Sequence, residues 1–193
     1  MQNVRIDKMS YNINKEGTWL TGARVVSSPN CDARPLDVEI DLLIIHAISL
    51  PPKEYGGGYI DKLFTNTLTP DEHPYFMKIK ELQVSSHLLI DRQGSVTQYV
   101  PFNMRAWHAG ESTFNGRNNC NDYSIGIELE GCDEEAYKKD QYLVLAEITN
   151  LLCQRWQKIK KDRIVGHSDV SPGRKTDPGP FFDMDYYFSL LKL

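Results

Sequence analysis

The sequence predicts a single α/β domain in which a central mixed β-sheet is flanked by helices. Three segments indicate this class: an apolar run at 37–52, an alternating segment at 123–131 and a helical periodicity over 134–160. Strands and helices mixed in this order are typical of a sheet covered by helices. A length of 193 residues and a hydrophobic content of 40% suit one domain with its own core.

The two strongest strand signals differ in kind. The run DVEIDLLIIHAISLPP (37–52) is short, β-branched and closed by two prolines, which favours a buried central strand over a helix. In YSIGIELEG (123–131), Ile125, Ile127 and Leu129 alternate with polar or small residues, as in a strand with one face in the core. VSSHLLIDRQGSVTQYVP (84–101) predicts a hairpin that turns at 91–94.

Helical spacing of apolar residues predicts one long helix from Glu134 to about Lys160. Shorter helices are predicted within the segments 54–66, 71–82 and 182–191. HSDVSPGRKTDPGPFF (167–182) contains three prolines and two glycines, so we expect an irregular loop. The polar residues 1–17 are predicted to be a loosely ordered extension, and residues 18–193 the domain.

Composition narrows the class of protein. A formal net charge of -4 argues against nucleic-acid binding, because no excess of basic residues exists to neutralise phosphates. No apolar run approaches the ~20 residues of a membrane helix, and the N-terminus lacks the apolar region of a signal peptide. Four cysteines occur without a CxxC pair, which favours free thiols over two disulfides and a cytoplasmic location.

Two histidines and one aspartate are candidate metal ligands. His46 ends an otherwise apolar strand, where the nitrogens of a buried ring require polar partners. A metal ion would supply such a partner, and so would a position at the opening of a site. His167 follows the short strand-like piece RIVG, and Asp177 follows it after ten residues. Two imidazoles, one carboxylate and a water form a catalytic zinc arrangement. Because HExxH is absent, such a site would have to be assembled from distant segments. For any single histidine, a hydrogen-bonded structural role is the alternative.

Three further side chains are candidates for chemistry. Lys175 lies two residues before Asp177, so both side chains are expected on one side of the chain, with Arg174 facing away. A cation beside a metal ligand is suited to stabilising an oxyanion that develops on a substrate. Glu128 lies on the polar face of its strand and suits a general base. Trp107, in RAWHAG, suits a stacking wall. The alternatives are a solvated charge cluster, an exposed sheet face and a plain core position, respectively.

With these residues in place, the sequence resembles the zinc-dependent N-acetylmuramoyl-L-alanine amidases of the peptidoglycan-recognition superfamily. The resemblance rests on segments from about residue 19 to the C-terminus, of which SIGIELEG and RKTDPGP are the most specific. The other matching segments are SSPNCDARP, IIHAISLPP, IDKLFTNTL, HPYF, VSSHLLIDRQG, QYVPF, RAWHAG and GHSDVSPG.

The resemblance implies one zinc ion held by His46, His167 and Asp177. It implies that Glu128 assists the attacking water and that Lys175 stabilises the tetrahedral intermediate. Substrate contacts are expected from Trp107, Arg174 and Tyr75. The implied reaction is hydrolysis of the amide between (1,6-anhydro-)N-acetylmuramic acid and L-alanine during muropeptide recycling, by a cytoplasmic monomer that binds a small soluble muropeptide.

Three positions depart from the family pattern. Ala47 stands where relatives commonly have Asn, and Gln83 and Asn119 stand where they tend to have Arg. Gln and Asn cannot form a charged, two-pronged pair with a carboxylate, so we expect a weaker dependence on the carboxylates of the stem peptide.

Three other functions are compatible with parts of the sequence. A non-catalytic peptidoglycan-binding module would lack part of the metal set. A phage-type or secreted amidase would act on polymeric wall. A thiol hydrolase would pair one cysteine with His87 or His108, although no spacing supports it.

Overall fold

The computed structural model describes residues 11–193 and has a six-stranded mixed sheet at its centre. The strands are β1 (Asn12–Ile13), β2 (Leu20–Thr21), β3 (Arg24–Val25), β4 (Cys31–Ala33), β5 (Leu42–Ile48), β6 (Leu88–Ile90), β7 (Val96–Gln98), β8 (Met104–Ala106), β9 (Thr113–Phe114), β10 (Arg117–Asn118), β11 (Ser124–Glu130) and β12 (Ile164–Gly166). The α-helices are α1 (Tyr59–Phe64), α2 (Lys139–Arg155), α3 (His167–Val170) and α4 (Met184–Ser189).

The order of the central sheet is β12-β5-β11-β6-β7-β3. The neighbours β12, β5, β11 and β6 are parallel, whereas β6 and β7 form the antiparallel hairpin predicted around residues 91–94. The strands predicted within 37–52 and 123–131 are therefore confirmed as β5 and β11, and they are adjacent. Three small two-stranded sheets pair β1 with β2, β4 with β8 and β9 with β10.

The two faces of β5 and β11 have different partners. Leu43, Ile45, Ile125 and Ile127 belong to the main core, which includes apolar residues of α2. On the opposite face, residues 42 and 44 of β5 pack in a smaller cluster with Ala109. That second face carries the candidate site, because side chains alternate along a strand and His46 continues the series.

The long predicted helix is shorter at both ends than residues 134–160. It begins after Lys138, whose backbone N–H donates to the Gln141 side-chain Oε1 at 3.0 Å and so fixes the first turn. It ends at Trp156, whose ψ of 85° is no longer helical. The four-residue helix α3 lies in a segment predicted to be irregular, since its prolines begin only at residue 172.

Two other predictions differ from the structure. The helix predicted at 71–82 is reduced to a 3₁₀ turn at Phe76–Lys78, because the His73 Nδ1 accepts the Tyr75 N–H in a local turn. The predicted extension 1–17 overlaps with packed chain: Tyr11 is buried in the main core, and β1 pairs with β2. Residues 1–10 of that extension lie outside the described residues.

Two expectations about covalent state and membrane insertion can be compared with the structure. All four cysteines are free thiols, as predicted. Among residues 11–193, no helix has the length and apolar character required to cross a bilayer.

Candidate metal and active site

Three predicted ligands meet at one edge of the central sheet. His46 lies near the carboxyl end of β5, and His167 directly follows the carboxyl end of β12, the parallel neighbour of β5. Parallel strands bring these ends to the same edge. Asp177 returns to this edge because the Ser168 N–H donates to the Asp177 carbonyl at 3.0 Å. The loop 171–180 thereby places its carboxylate beside the two rings.

The ligand atoms form a compact triangle. His46 Nδ1 and His167 Nδ1 are 3.0 Å apart, and Asp177 Oδ2 lies 3.2 Å from the first and 3.0 Å from the second. Zinc bonds of about 2.0–2.1 Å in a tetrahedron separate neighbouring ligand atoms by about 3.3 Å. The triangle therefore has the size of one face of a zinc tetrahedron. In the part of the chain that the structure describes, these three residues are the one cluster of this kind.

A hydrogen bond shows which nitrogen of His167 carries the proton and which one presents a lone pair to this triangle. His167 Nε2 lies 3.1 Å from the Ala109 carbonyl oxygen, which can only accept, so this nitrogen carries the proton. A neutral His167 then directs an unprotonated Nδ1 at a carboxylate oxygen. Converging lone pairs repel each other unless a cation lies between them, and this donor set suits zinc.

Electrostatics keep the ligands in the form that binds a metal. Burial lowers the pKa of His46 to about 4, so its ring is neutral at pH 7. Burial raises the pKa of Asp177, but hydrogen bonds with His167 and His46 outweigh it and hold that pKa well below its usual value. Asp177 is therefore a carboxylate, as metal binding requires.

Glu128, on β11, is the sheet neighbour of the candidate ligand His46. It is buried, and its Oε2 has no hydrogen-bond partner among residues 11–193. Burial, followed by the negative charge of Asp177, raises the pKa of Glu128 well above its usual value, while Lys175 opposes the rise. A buried, unpartnered carboxyl group that lines a cavity is suited to proton transfer rather than to structure.

A cavity of about 460 Å³ opens over these residues. Its lining includes all eight predicted site residues: His46, Tyr75, Trp107, Glu128, His167, Arg174, Lys175 and Asp177. The expectation that Arg174 faces away from Lys175 is wrong, because both residues line this cavity. The Arg174 Nη2 also donates to the Ala109 and Glu111 carbonyls. Gln83 also lines the cavity, whereas Asn119 is absent from the lining.

Trp107 is held at the cavity wall by polar contacts. Its indole Nε1–H donates to Asp32 Oδ1 at 3.3 Å, and its backbone N–H donates to Ser85 Oγ at 3.0 Å. A partly exposed indole fixed in this way presents a rigid apolar face to a ligand.

Sequence reasoning missed His108, Ala109 and Asn121. The adjacent residues 108 and 109 contact the outer nitrogens of His46 and His167, respectively. The sequence pattern indicates these three residues only weakly, because the segment RAWHAG predicts no more than an aromatic wall. The alternative of a thiol hydrolase has no support, since none of the four cysteines lines the cavity.

Comparisons with known proteins agree with this geometry. The family model described as N-acetylmuramoyl-L-alanine amidase matches residues 36–180. The 1,6-anhydro-N-acetylmuramyl-L-alanine amidase AmpD of Haemophilus influenzae is 54% identical over 173 residues, which cover 90% of this chain and 94% of that protein.

Two solved structures share the fold. A crystal structure of a selenomethionine derivative of AmpD has a TM-score of 0.87 at 53% identity and covers 90% of this chain and 96% of its own. The amidase AmiD from E. coli, in complex with the substrate anhydro-N-acetylmuramic acid-L-Ala-D-gamma-Glu-L-Lys, has a TM-score of 0.58 at 25% identity, with coverages of 94% and 65%. Family model, relatives and fold thus agree over most of the chain, which belongs to the N-acetylmuramoyl-L-alanine amidase family.

Proposed function

We propose that this chain, an N-acetylmuramoyl-L-alanine amidase, is zinc-dependent and that His46, His167 and Asp177 hold the ion. The observation that carries the proposal is the triangle of Nδ1, Nδ1 and Oδ2 atoms with sides of 3.0–3.2 Å. A bound zinc ion supplies a Lewis acid that polarises a carbonyl group and acidifies water. All three residues line the cavity, so an ion held by them would be accessible to water and substrate, as catalytic rather than structural zinc is.

Glu128 and Lys175 divide the work of the reaction. Glu128 takes a proton from the attacking water and delivers it to the nitrogen of the leaving amine. Burial raises the pKa of Glu128, which supports the first step, because a less acidic carboxyl group is a stronger base for the proton of the water. The Lys175 ammonium faces the same cavity and stabilises the negative charge that develops on the carbonyl oxygen.

The proposed substrate is a soluble anhydromuropeptide, cleaved between 1,6-anhydro-N-acetylmuramic acid and L-alanine. Support comes from the relatives: AmpD carries this activity in its name, and AmiD was solved with such a compound bound. A cavity of about 460 Å³ lies within the range of small-molecule sites. Trp107 and Tyr75 supply aromatic walls, and Arg174 lies at the edge where the peptide would lie.

Location, assembly and domain extent complete the proposal. We infer a cytoplasmic enzyme, since four free thiols suit a reducing compartment. We infer that the chain can act as a monomer, because one chain supplies the three proposed ligands together with Glu128 and Lys175. The catalytic domain comprises residues 18–193, with residues 11–17 packed on it.

Hydrolysis of a soluble anhydromuropeptide and of intact sacculi, measured side by side, tests the proposal. Zinc-loaded protein is expected to release anhydro-N-acetylmuramic acid and free peptide from the soluble compound, detected by chromatography with mass spectrometry. Protein stripped with a chelator is expected to lose this activity and to regain it with zinc. Faster cleavage of sacculi would favour a phage-type or secreted amidase, and binding without cleavage would favour a recognition module.

A further inference from the structure

His108 lies directly behind the metal ligand His46. The His46 Nε2 is 2.9 Å from the His108 Nδ1, and the His108 Nε2 is 3.2 Å from the Ser124 Oγ. The two rings are almost perpendicular, with an interplanar angle of 88°. His108 is only 8% exposed and Ser124 is fully buried, so this row of side chains is shielded from water.

The direction of these hydrogen bonds follows from the position of the metal triangle. His46 turns its Nδ1 toward His167 and Asp177, so a metal-binding His46 must carry its proton on Nε2. That proton is donated to the His108 Nδ1. The neutral His108 then carries its own proton on Nε2 and donates it to the Ser124 Oγ. Each contact is satisfied in this one arrangement of protons.

The central strand leaves room for the His108 ring. Gly126 lies between Ser124 and Glu128 on the same face of β11. A Cβ atom at position 126 would lie 2.5 Å from the His108 Cγ and Nδ1, closer than any packing allows. Glycine is therefore required sterically here. On this face, β11 contributes Ser124 as a hydrogen-bond acceptor, Gly126 as the space for the ring and Glu128 as the proposed base.

The backbone that carries His108 is also fixed. The Asn121 Oδ1 accepts the N–H groups of His108 and Ala109 at 3.2 and 2.8 Å. The Ala109 carbonyl in turn accepts the Nε2–H of His167 at 3.1 Å. Two consecutive residues therefore hold the outer nitrogens of both histidine ligands.

We propose that His108 is a positioning residue that fixes the tautomer and ring orientation of His46, with Ser124 as the terminal acceptor. The inference rests on the proposed zinc role of His46. Metal-bound histidines usually donate their second N–H to a carboxylate, a carbonyl or water. Here a second imidazole takes that role, and it does so in the unprotonated form at Nδ1.

Substitution of His108 tests the proposal through zinc affinity. The dissociation constant is measured on the full chain by competition with a chromophoric chelator. Loss of such an outer partner typically weakens metal binding about 10–100-fold, and we expect this of His108→Leu. His108→Asn places an amide Oδ1 near the position of the lost Nδ1, so we expect zinc affinity within a few-fold of the parent.

Two serines provide a matched comparison that leaves the His108 ring in place. Ser124 Oγ contacts His108, whereas the equally buried Ser86 Oγ donates to the Gly126 carbonyl at 2.8 Å. Ser124→Ala is expected to weaken zinc binding and Ser86→Ala to leave it unchanged, although both remove one hydroxyl. Equal affinities for both variants would overturn the proposal even if His108→Leu failed to fold.

Imidazole ¹H–¹⁵N spectra of the zinc-loaded protein give a readout that a merely structural role would not change. The His46 Nε2–H of the parent is expected to show the downfield proton shift of a hydrogen bond to the His108 Nδ1, and in His108→Leu this shift is expected to be lost. A parent that binds no zinc would contradict the proposed function and this inference together. A parent that binds zinc, with His108→Leu binding equally tightly, would contradict the inference alone.

Discussion

Glu128 and His46 are direct neighbours in the central sheet, paired Cα to Cα across the parallel strands β11 and β5. Both side chains point to the face that carries the cavity. The register of two strands therefore sets the distance between the proposed base and a proposed ligand. A shift of one residue would turn Glu128 into the core, so sheet pairing and catalysis depend on the same register.

Glu128→Gln separates proton transfer from metal binding. The amide fills the same space but cannot accept a proton, so we expect turnover to fall about 10²–10⁴-fold. Zinc content, measured by atomic emission, should remain at one ion per chain. Retention of parental turnover would show that another group acts as the base.

Glu130→Gln is the matched control on the same strand face. Glu130 is also buried, but its Oε1 and Oε2 accept the backbone N–H groups of Gly56 and Arg92. Its substitution is expected to lower the melting temperature and to leave turnover close to that of the parent. A large loss of turnover in both variants would indicate a general effect of charge on this strand.

The pH dependence of stability offers an independent test of Glu128. Burial raises its pKa in the folded state, so ionisation opposes folding as the pH rises above the unfolded value. In zinc-free protein we expect Glu128→Gln to be more stable than the parent at neutral pH, because the amide carries no charge that burial would oppose.

The difference should shrink at acidic pH, because the Glu128 carboxyl then becomes increasingly protonated in the unfolded state as well. Urea unfolding of the two proteins at pH 4 and pH 8 measures it. A difference that is larger at pH 4 would have the wrong sign and would contradict the burial of a strained carboxylate.

Lys175→Met removes the proposed oxyanion partner and keeps most of the apolar stem. We expect kcat to fall about 10²–10³-fold, with a smaller change in KM, because the ammonium acts on charge that appears only in the transition state. Steady-state kinetics on the soluble substrate measure both constants. Lys158→Met, at an exposed ion pair with Glu39, is the control and should change neither. A change confined to KM would assign Lys175 to substrate binding alone.

Recognition of the stem peptide is expected to depend little on its carboxylates. Gln83 lines the cavity without a charge, and Arg174 already donates to two backbone carbonyls. We expect similar kcat/KM values for substrates with free and amidated stem carboxylates. Gln83→Arg should favour the free carboxylates, by up to about fivefold for one exposed charged contact. A large loss on amidation in the parent would contradict this expectation.

The sequence predicts those parts of the fold in which local pattern and tertiary packing agree. β5 and β11 were predictable because their apolar periods are the periods of buried strands. The ends of α2 were not, because they depend on a side-chain bond of Gln141 and on the turn after Arg155. Tyr11 lies in a polar stretch of the sequence but packs in the core, and no local pattern predicts this contact.

The candidate site was predictable where residue type alone restricts the chemistry. A buried imidazole, or an acid beside a cation, lacks a simple structural role. For this reason the sequence indicates His46, Asp177 and Lys175 as site residues. It does not indicate His108, because the significance of that residue arises only from contacts with His46, 62 residues away, and with Ser124. Hydrogen bonds between distant segments are set by topology, which the sequence pattern does not specify.

The most direct test of the central claim is an anomalous difference map, collected at the zinc absorption edge from a crystal of the zinc-loaded protein. We predict one strong peak, bonded to the Nδ1 atoms of His46 and His167 and to a carboxylate oxygen of Asp177. A crystal prepared with excess zinc that shows no peak among these three side chains, or shows it elsewhere, would contradict the account.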